Sequence, residues 1–501
     1  MKKLDRYDLL SLGIILFVII FQVSRFRFLP QFIDDYYHLL VARSFLKAGG
    51  WVGVSFWDYA PVGRPHLYPP FYHFLIAGLL KLGISGIISL RILGVVIPIV
   101  FFLSLWLILR KIFSTLLSFL VVLITFSSFS FYISLDANLP ATLGIIFSFL
   151  SFYFLKKNKL VSSLISLTFS IYTHTGVFLA FVISLIVFSL ISQDKKAFKV
   201  IFSGFILGLP LFIHQLRYIE FLKLEILREM YFTHYNLLVI ILGIAGIFFC
   251  LKKRGVYSWF PGLILGFEII FLKYPYRFFS AQGLFCLSLL SAVFLESIFL
   301  KIRKAKFKRV LFFIVIIYFL FINSSIILEE ARAKFRLLNS TFSELSTGRF
   351  YDFLEFREFT YPEFFFPLKR IVLENTDSQD IIASNNKIVA VLLGSITNRA
   401  ISTSIFREVR PFLNFVPYSV SKIIIWVKSL FPEKKDLLLE RYVQRFKWEK
   451  IFENDIAYVY KNPYYKKITP FRAAFPFFYI LLIIGGSLVA IFLELKFSSF
   501  L

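Results

Sequence analysis

The sequence predicts a mostly α-helical membrane protein, a polytopic bundle of about 12 spans with a small extracytoplasmic α/β domain before the last span. Three observations predict it. Apolar runs nearly free of charge recur along the chain, among them Leu9–Phe21, Ile87–Leu109, Val310–Ile322 and Phe475–Leu493. Basic residues fall in short clusters between these runs. One long stretch near the C-terminus, residues 328–470, is instead polar and patterned as short strands and helices. A helix crossing ~30 Å of hydrocarbon needs roughly 20 apolar residues. Composition agrees: 58% of the 501 residues are hydrophobic and mean hydropathy is +0.76, whereas soluble domains run at about 45–50% apolar.

The formal charge of +26 does not point to nucleic acid, because the basic residues are spread between spans and not gathered on one soluble face. They follow the positive-inside bias. The two cysteines, Cys250 and Cys286, lie within apolar runs and have neither metal-ligand spacing nor the setting for a disulfide.

The elements follow in order. Lys2, Lys3 and Arg6 precede the first apolar run, and no small-residue cleavage site occurs in Gln22–Arg27, so the run reads as a retained span with a cytoplasmic N-terminus. A long aromatic-rich external loop, residues 31–85, comes next. Within it, Tyr68–Gly83 reads as a helix lying at the surface, since letting it cross would place the later basic clusters outside. The second span, Gly86–Leu109, ends on Arg110-Lys111; the third, Ser114–Ile133, ends on Ser134-Leu135-Asp136; the fourth, Pro140–Leu155, ends on Lys156-Lys157. A short fifth span, Leu160–Tyr172, leads to Thr173-His174-Thr175. Polar ends then alternate to the basic run Lys301–Arg309, and Val310–Ile327 is the eleventh span. The module of residues 1–327 thus delivers the chain outside. In the polar domain, Asp380–Ser384, Ala400–Ile405, Ile423–Val427 and Ile456–Tyr460 read as strands and Lys387–Leu393 as a helix. Residues 471–501 return inside as the last span, and no internal repeat is visible.

The first external loop opens with Ile33-Asp34-Asp35-Tyr36-Tyr37-His38, and apolar Leu39, Leu40 and Leu46 share the stretch with Arg43 and Lys47 before Gly49-Gly50. This describes an amphipathic surface helix with Asp34 or Asp35 at its N-cap. The same adjacent carboxylates suit two chemical tasks at the lipid boundary. One could act as general base on an acceptor hydroxyl, or the pair could hold a divalent cation such as magnesium or manganese. No other cofactor is implied. Asp136, just before Asn138 and Pro140, fits a cap of the fourth helix. Arg277 follows Tyr274-Pro275-Tyr276 at a span mouth, where an arginine can pair with phosphate or snorkel to headgroups. Lys273, His174 and Arg91 are further candidates for phosphate binding. Glu268 stands inside the apolar run Gly262–Leu272, so it must face a cavity, pair with Lys273 or Arg277, or be protonated.

The acidic pair after a first span, then Arg64-Pro65-His66-Leu67-Tyr68-Pro69-Pro70-Phe71-Tyr72, then Arg91 opening the next span, resembles the GT-C superfamily. These are polytopic glycosyltransferases that use lipid-phosphate sugars, such as protein O-mannosyltransferases, aminoarabinose transferases and oligosaccharyltransferase catalytic subunits. The resemblance covers the N-terminal two-fifths best, takes in Asp136 and the Thr173-His174-Thr175 turn, and extends loosely to the external domain. It implies that the acid matching Asp34 or Asp35 is catalytic, that Asp136 lies near the same cavity, and that Arg277 meets the carrier phosphate. The family's usual aspartate–glutamate pair is Asp-Asp here.

The expected activity is therefore transfer of a sugar from a polyprenyl (dolichyl or undecaprenyl) phosphate to a glycan, lipid or protein acceptor on the extracytoplasmic face of the cell membrane. An aspartate acts as general base in a single displacement. The competing reading is a transporter or lipid flippase, which the span count and Glu268 suit but the absence of paired broken helices does not.

Overall fold

The computed structural model describes residues 3–218, 233–270, 282–329, 332–347, 365–405, 411–413, 416–428, 437–465 and 475–497. Helix α1, Arg6–Ser24, starts at a capping box in which Asp5 accepts from the Asp8 amide and Asp8 accepts from the Asp5 amide. Asp8 is buried, pairs with Arg110 at 2.7 Å and accepts the Trp106 indole N–H at 3.1 Å. Helix α2, Ile33–Ala48, is not the amphipathic surface helix expected, since ten of its sixteen residues are buried; it stops at Gly49, whose φ of 82° favours a residue without a side chain. Strand β1 (Gly50–Trp51), the hairpin of β2 (Val54–Ser55) and β3 (Arg64–Pro65), and helix α3 (Phe71–Lys81) complete the first loop.

The bundle continues with α4 (Gly86–Ile112), α5 (Thr115–Ser127), α6 (Phe129–Ala137), α7 (Leu139–Lys156), α8 (Leu160–Thr173), α9 (Thr175–Ser192) and α10 (Lys195–Leu216). After β4 (Thr233–Tyr235) come α11 (Leu237–Lys253), α12 (Trp259–Ile270), α13 (Gln282–Lys301) and α14 (Ala305–Ile317). Among the described residues, six helices are long and apolar enough to cross a membrane: α1, α4, α7, α9, α10 and α13. Small residues bring neighbours close. A methyl on Gly266 would collide with the Ala180 carbonyl, which is why α12 lies directly against α9. Aromatic rings fill the remaining space, with Trp259 stacked on Phe152 at 3.8 Å.

Helix ends segregate by chemistry. Arg110 lies with Asp8, Thr115 bonds Asp5 at 2.6 Å and Lys196 bonds Asn158 at 2.7 Å, so the basic clusters share the end of the bundle that holds the start of α1. The opposite end carries α2, α3 and the C-terminal sheet.

That sheet has five strands in the order β10-β11-β9-β7-β8, namely Glu449–Glu453, Ala457–Lys461, Ile423–Val427, Ile381–Ser384 and Ala400–Ile401. Strand β7 runs parallel to β8 and β9, and β11 runs antiparallel to its neighbours. Two further strands, β5 (Ser325–Glu329) and β6 (Arg332–Arg336), form an antiparallel pair, and β5 also pairs with β4, giving the order β4-β5-β6. Helices α15 (Thr341–Ser346), α16 (Phe366–Asn375) and α17 (Lys387–Thr397) precede or connect these strands. Helix α18 (Leu437–Phe446) follows, and α19 (Phe477–Phe497) is the last. Glu494 on α19 accepts from the Val161 and Ser162 amides and so docks this helix on the start of α8.

Several expectations are corrected. The third span breaks at Ser128, whose backbone leaves the helix (ψ 91°) and bridges Ser340, giving α5 and α6 where one helix was expected. The eleventh ends early: α14 widens into a π-helical turn at Tyr318–Ile322 and the chain becomes a strand from Ser325. The strand expected over Ala400–Ile405 is described as strand only at Ala400–Ile401. Neither Asp34 nor Asp35 is an N-cap, because α2 begins after Phe32. Asp136 does not cap α7 either; Asn138 does, accepting from the Ala141 amide at 3.3 Å.

Candidate functional site

The break at Ser128 turns α6 so that Tyr132 and Asp136, one turn apart, face the last turn of α1. There Gln22 and Arg25 stand three residues apart on one face. Arg25 is 1% exposed. Its guanidinium reaches Gln22 Oε1 at 2.7 Å and Gln31 Oε1 at 2.9 Å, and it forms an ion pair with Asp136. Gln22 donates to Asp136 at 3.3 Å and to the Tyr132 hydroxyl at 3.2 Å. The second carboxylate oxygen of Asp136 is buried and meets no hydrogen-bond partner among the described residues. One acceptor therefore stays available beside a neutralised charge.

Asp35 sits at the third position of α2 and is 6% exposed, whereas its neighbour Asp34 is exposed. Burial first, then the charges of Asp136 and Asp34, push the Asp35 carboxyl well above its ordinary value; the Phe32 main chain and Arg25 offset this only in part. The sequence favours Asp35 over Asp34 only marginally. Their environments are not equivalent.

One turn along α2, the buried His38 Nδ1 lies 2.9 Å from His73 Nε2 on α3. Burial and the nearby His174 drive the His38 pKa down to about 3, so this imidazole is neutral. Rings of Tyr68 and Tyr72 pack edge-on against His38 at 5.0 and 5.1 Å, and Tyr68 touches His174. Asp35 acts electrostatically on Tyr72. The acid thus lies against an aromatic wall built by the Tyr68–His73 segment.

The remaining sequence candidates are dispersed. His174 takes the Val177 amide at 3.2 Å as the N-cap of α9. Arg91 holds the carbonyls of Leu29 at 2.7 Å and Arg27 at 2.6 Å, fastening α4 to the chain after α1. Glu268 is half-buried on α12, and its Oε2 meets no hydrogen-bond partner among the described residues. Arg277 and Lys273 lie outside the described residues. Among the described residues, no three His, Cys, Asp or Glu side chains converge to hold a metal ion, and Asp136 is already engaged by Arg25.

Sequence reasoning missed Arg25, Gln22, Gln31 and Tyr132. The signal was present as Gln22 and Arg25 at i, i+3 and Tyr132 and Asp136 at i, i+4, each a polar pair on one helical face at a span end. A second buried group was also missed. Arg64 donates to Asp58 at 2.8 Å and to the Tyr37 hydroxyl at 2.8 Å, while Ser404 donates to the same Asp58 oxygen at 3.1 Å.

No protein-family model and no curated protein matches the sequence. The structure does have solved neighbours. It is similar to ArnT from Cupriavidus metallidurans in the apo state, with a TM-score of 0.52 and 10% identity over 85% of this chain and 93% of that one. It is similar to the same protein bound to undecaprenyl phosphate, with a TM-score of 0.51 and 11% identity over 91% of this chain and 98% of that one. An oligosaccharyltransferase from Archaeoglobus fulgidus, in complex with Zn and sulfate, gives a TM-score of 0.48 and 11% identity over 83% of this chain and 68% of that one. The chain has the fold of ArnT, and six of its described helices are long and apolar enough to cross a membrane.

Proposed function

We propose that this GT-C-fold protein is a membrane glycosyltransferase that moves a sugar from a polyprenyl phosphate to an acceptor hydroxyl, with Asp35 as general base. The observation that carries this reading is Asp35 itself. It is a buried carboxyl on α2, held well above its ordinary value by burial and the charge of Asp136, and coupled electrostatically to Arg25, the partner of Asp136. Structural proteins rarely keep such a group without use.

The reaction is a single displacement. Asp35 takes the proton of the acceptor hydroxyl as its oxygen attacks the anomeric carbon. The bond from that carbon to the phosphate oxygen breaks, and polyprenyl phosphate leaves as the anion. Asp136, held by Arg25 and Gln22, presents its second oxygen to orient a sugar or acceptor hydroxyl. Asp34, exposed beside the base, tunes its field. Lys273, Arg277 and His174 are the proposed ligands of the departing phosphate, which a guanidinium pairs in bidentate fashion. Donor and acceptor meet at the end of the bundle that carries α2, taken as the extracytoplasmic face because the basic clusters occupy the opposite end. Residues 1–327 form the transmembrane module, 328–470 the external α/β domain and 471–501 the final span.

The test uses purified protein in lipid nanodiscs with a panel of polyprenyl-phosphate sugars, following release of free polyprenyl phosphate. Release by wild type and none by the Asp34→Asn/Asp35→Asn double variant is expected. Equal release from both would remove the aspartates from the mechanism. No release from any donor, with labelled lipid still crossing the bilayer, would replace the enzyme with a flippase.

A further inference from the structure

Two turns beyond Asp35, Arg43 on α2 lines a separate cavity of about 260 Å³. Its walls come from three elements: α2, the first turn of α4, and the external domain, which contributes Lys369 from α16. Arg91 is the third cation on the lining, and among the described residues no carboxylate shares it. Three converging cations without an acid make a space whose field favours an anion.

The backbone adds to that field. Helix α4 runs for 27 residues from Gly86, and its opening amides have no carbonyl within the helix to bond. Gly86 leaves room for the Arg43 guanidinium, which would lie 2.8 Å from a Cβ at that position, so the cation sits close against the helix end. Arg43 is fixed by the Ser395 carbonyl at 2.5 Å. Burial and the charge of Arg399 hold its pKa down to about 10, and Lys47, one turn on, is held to about 8 by burial and the same neighbours.

We propose that this cavity binds a phosphate oxyanion at a site separate from the transfer centre, one shaped for a lipid headgroup. Eight residues of α2 separate Arg43 from Asp35, about 12 Å of helix rise, too far for the phosphate that leaves the reacting sugar. Ile87 and Ile88, also on the lining, open the apolar run of α4. A phosphate seated here can therefore trail an acyl or prenyl chain into the membrane. The volume suits a headgroup phosphate. The site does not depend on the transfer reaction.

Binding of dodecyl phosphate, dihexanoyl phosphatidylglycerol and inorganic phosphate to the detergent-purified protein is measured by calorimetry. Wild type, Arg43→Gln, Lys369→Gln and their double variant are compared. Wild type is expected to bind the alkyl phosphate, each single variant to bind it about tenfold more weakly, and the double variant to lose that site. Lys369 is only half-buried on a helix of the external domain, so Lys369→Gln keeps its fold even if Arg43→Gln does not. A preference for dodecyl phosphate assigns a phosphate-monoester lipid, and a preference for phosphatidylglycerol assigns a phospholipid. Inorganic phosphate binding as tightly as either assigns a free-phosphate site. The Asp34→Asn/Asp35→Asn variant is expected to bind as wild type does, which separates this site from the transfer reading. Equal affinity in wild type and the Arg43→Gln/Lys369→Gln double variant, or no binding in wild type, overturns the proposal.

Discussion

At the scale of single residues, Asp35 and Asp34 differ by one position and by their whole environment. A buried carboxyl with a raised pKa holds its proton above the usual range, so a rate that needs the ionised form rises with pH through that higher value. The pH profile of transfer is expected to show an acid limb above the ordinary carboxylate range. Asp35→Asn is expected to lower the rate at least about a hundredfold, and Asp34→Asn only a few-fold. The same shift acts on stability. A carboxyl whose pKa rises on folding stabilises the fold while protonated, below its ordinary value of 3.8, and loses that contribution as pH climbs through the raised value. Asp35→Asn should therefore melt above wild type at pH 7, and the two should converge in acid. Thermal melts across pH decide it; an asparagine variant that melts lower at pH 7 would mean Asp35 is structural.

At the scale of elements, the hinge at Ser128 and the last turn of α1 build the site together. Arg25 and Asp136 are both almost wholly buried, and removing one partner leaves the other charge uncompensated. Arg25→Gln is expected to destabilise the protein by about 3–5 kcal/mol. Asp136→Asn in that background should recover most of the loss, because the remaining pair is neutral. A double-mutant cycle from denaturation midpoints reads this coupling directly. Additive losses would show that the two residues act independently.

At the scale of the whole molecule, the C-terminal sheet domain is seated on the segment between α1 and α4. Lys47 donates to the Ser378 and Asn398 carbonyls at 2.6 and 2.8 Å. Ile401 and residues 57–60 exchange main-chain hydrogen bonds, with the Ala60 amide on the Ile401 carbonyl at 3.0 Å and the Ile401 amide on the Trp57 carbonyl at 2.8 Å. Tyr36, Tyr37, Leu40, Phe45 and Trp57 share one apolar core with Val389, Leu392 and Leu393 of α17. Trp57 is 1% exposed, and Trp57→Ala is expected to cost about 3–5 kcal/mol. Hydrogen exchange should then quicken over Lys387–Thr397 while α5 and α13 stay protected. Unchanged exchange in α17 would show that the domain holds its place without the loop.

The sequence by itself determined the apolar helical bundle, the helix that carries the acidic pair, the stop at Gly49 and most of the strands of the C-terminal sheet; it did not foresee that this helix is packed on both faces. These follow from local quantities: apolar run length, helical or two-residue periodicity, and the backbone freedom of glycine. It also brought Asp35, Asp34 and Asp136 forward as candidates, since charged residues at span ends stand out against apolar neighbours. Only the tertiary structure decided which carboxylate is buried, that Arg25 answers Asp136 from 111 residues away, and that Asn138 caps α7 in place of Asp136. The kink at Ser128 belongs with these, because what holds it is Ser340, far along the chain. Ion pairing and burial depend on neighbours brought together by packing, and no local pattern in a single chain encodes which distant helix end will face another.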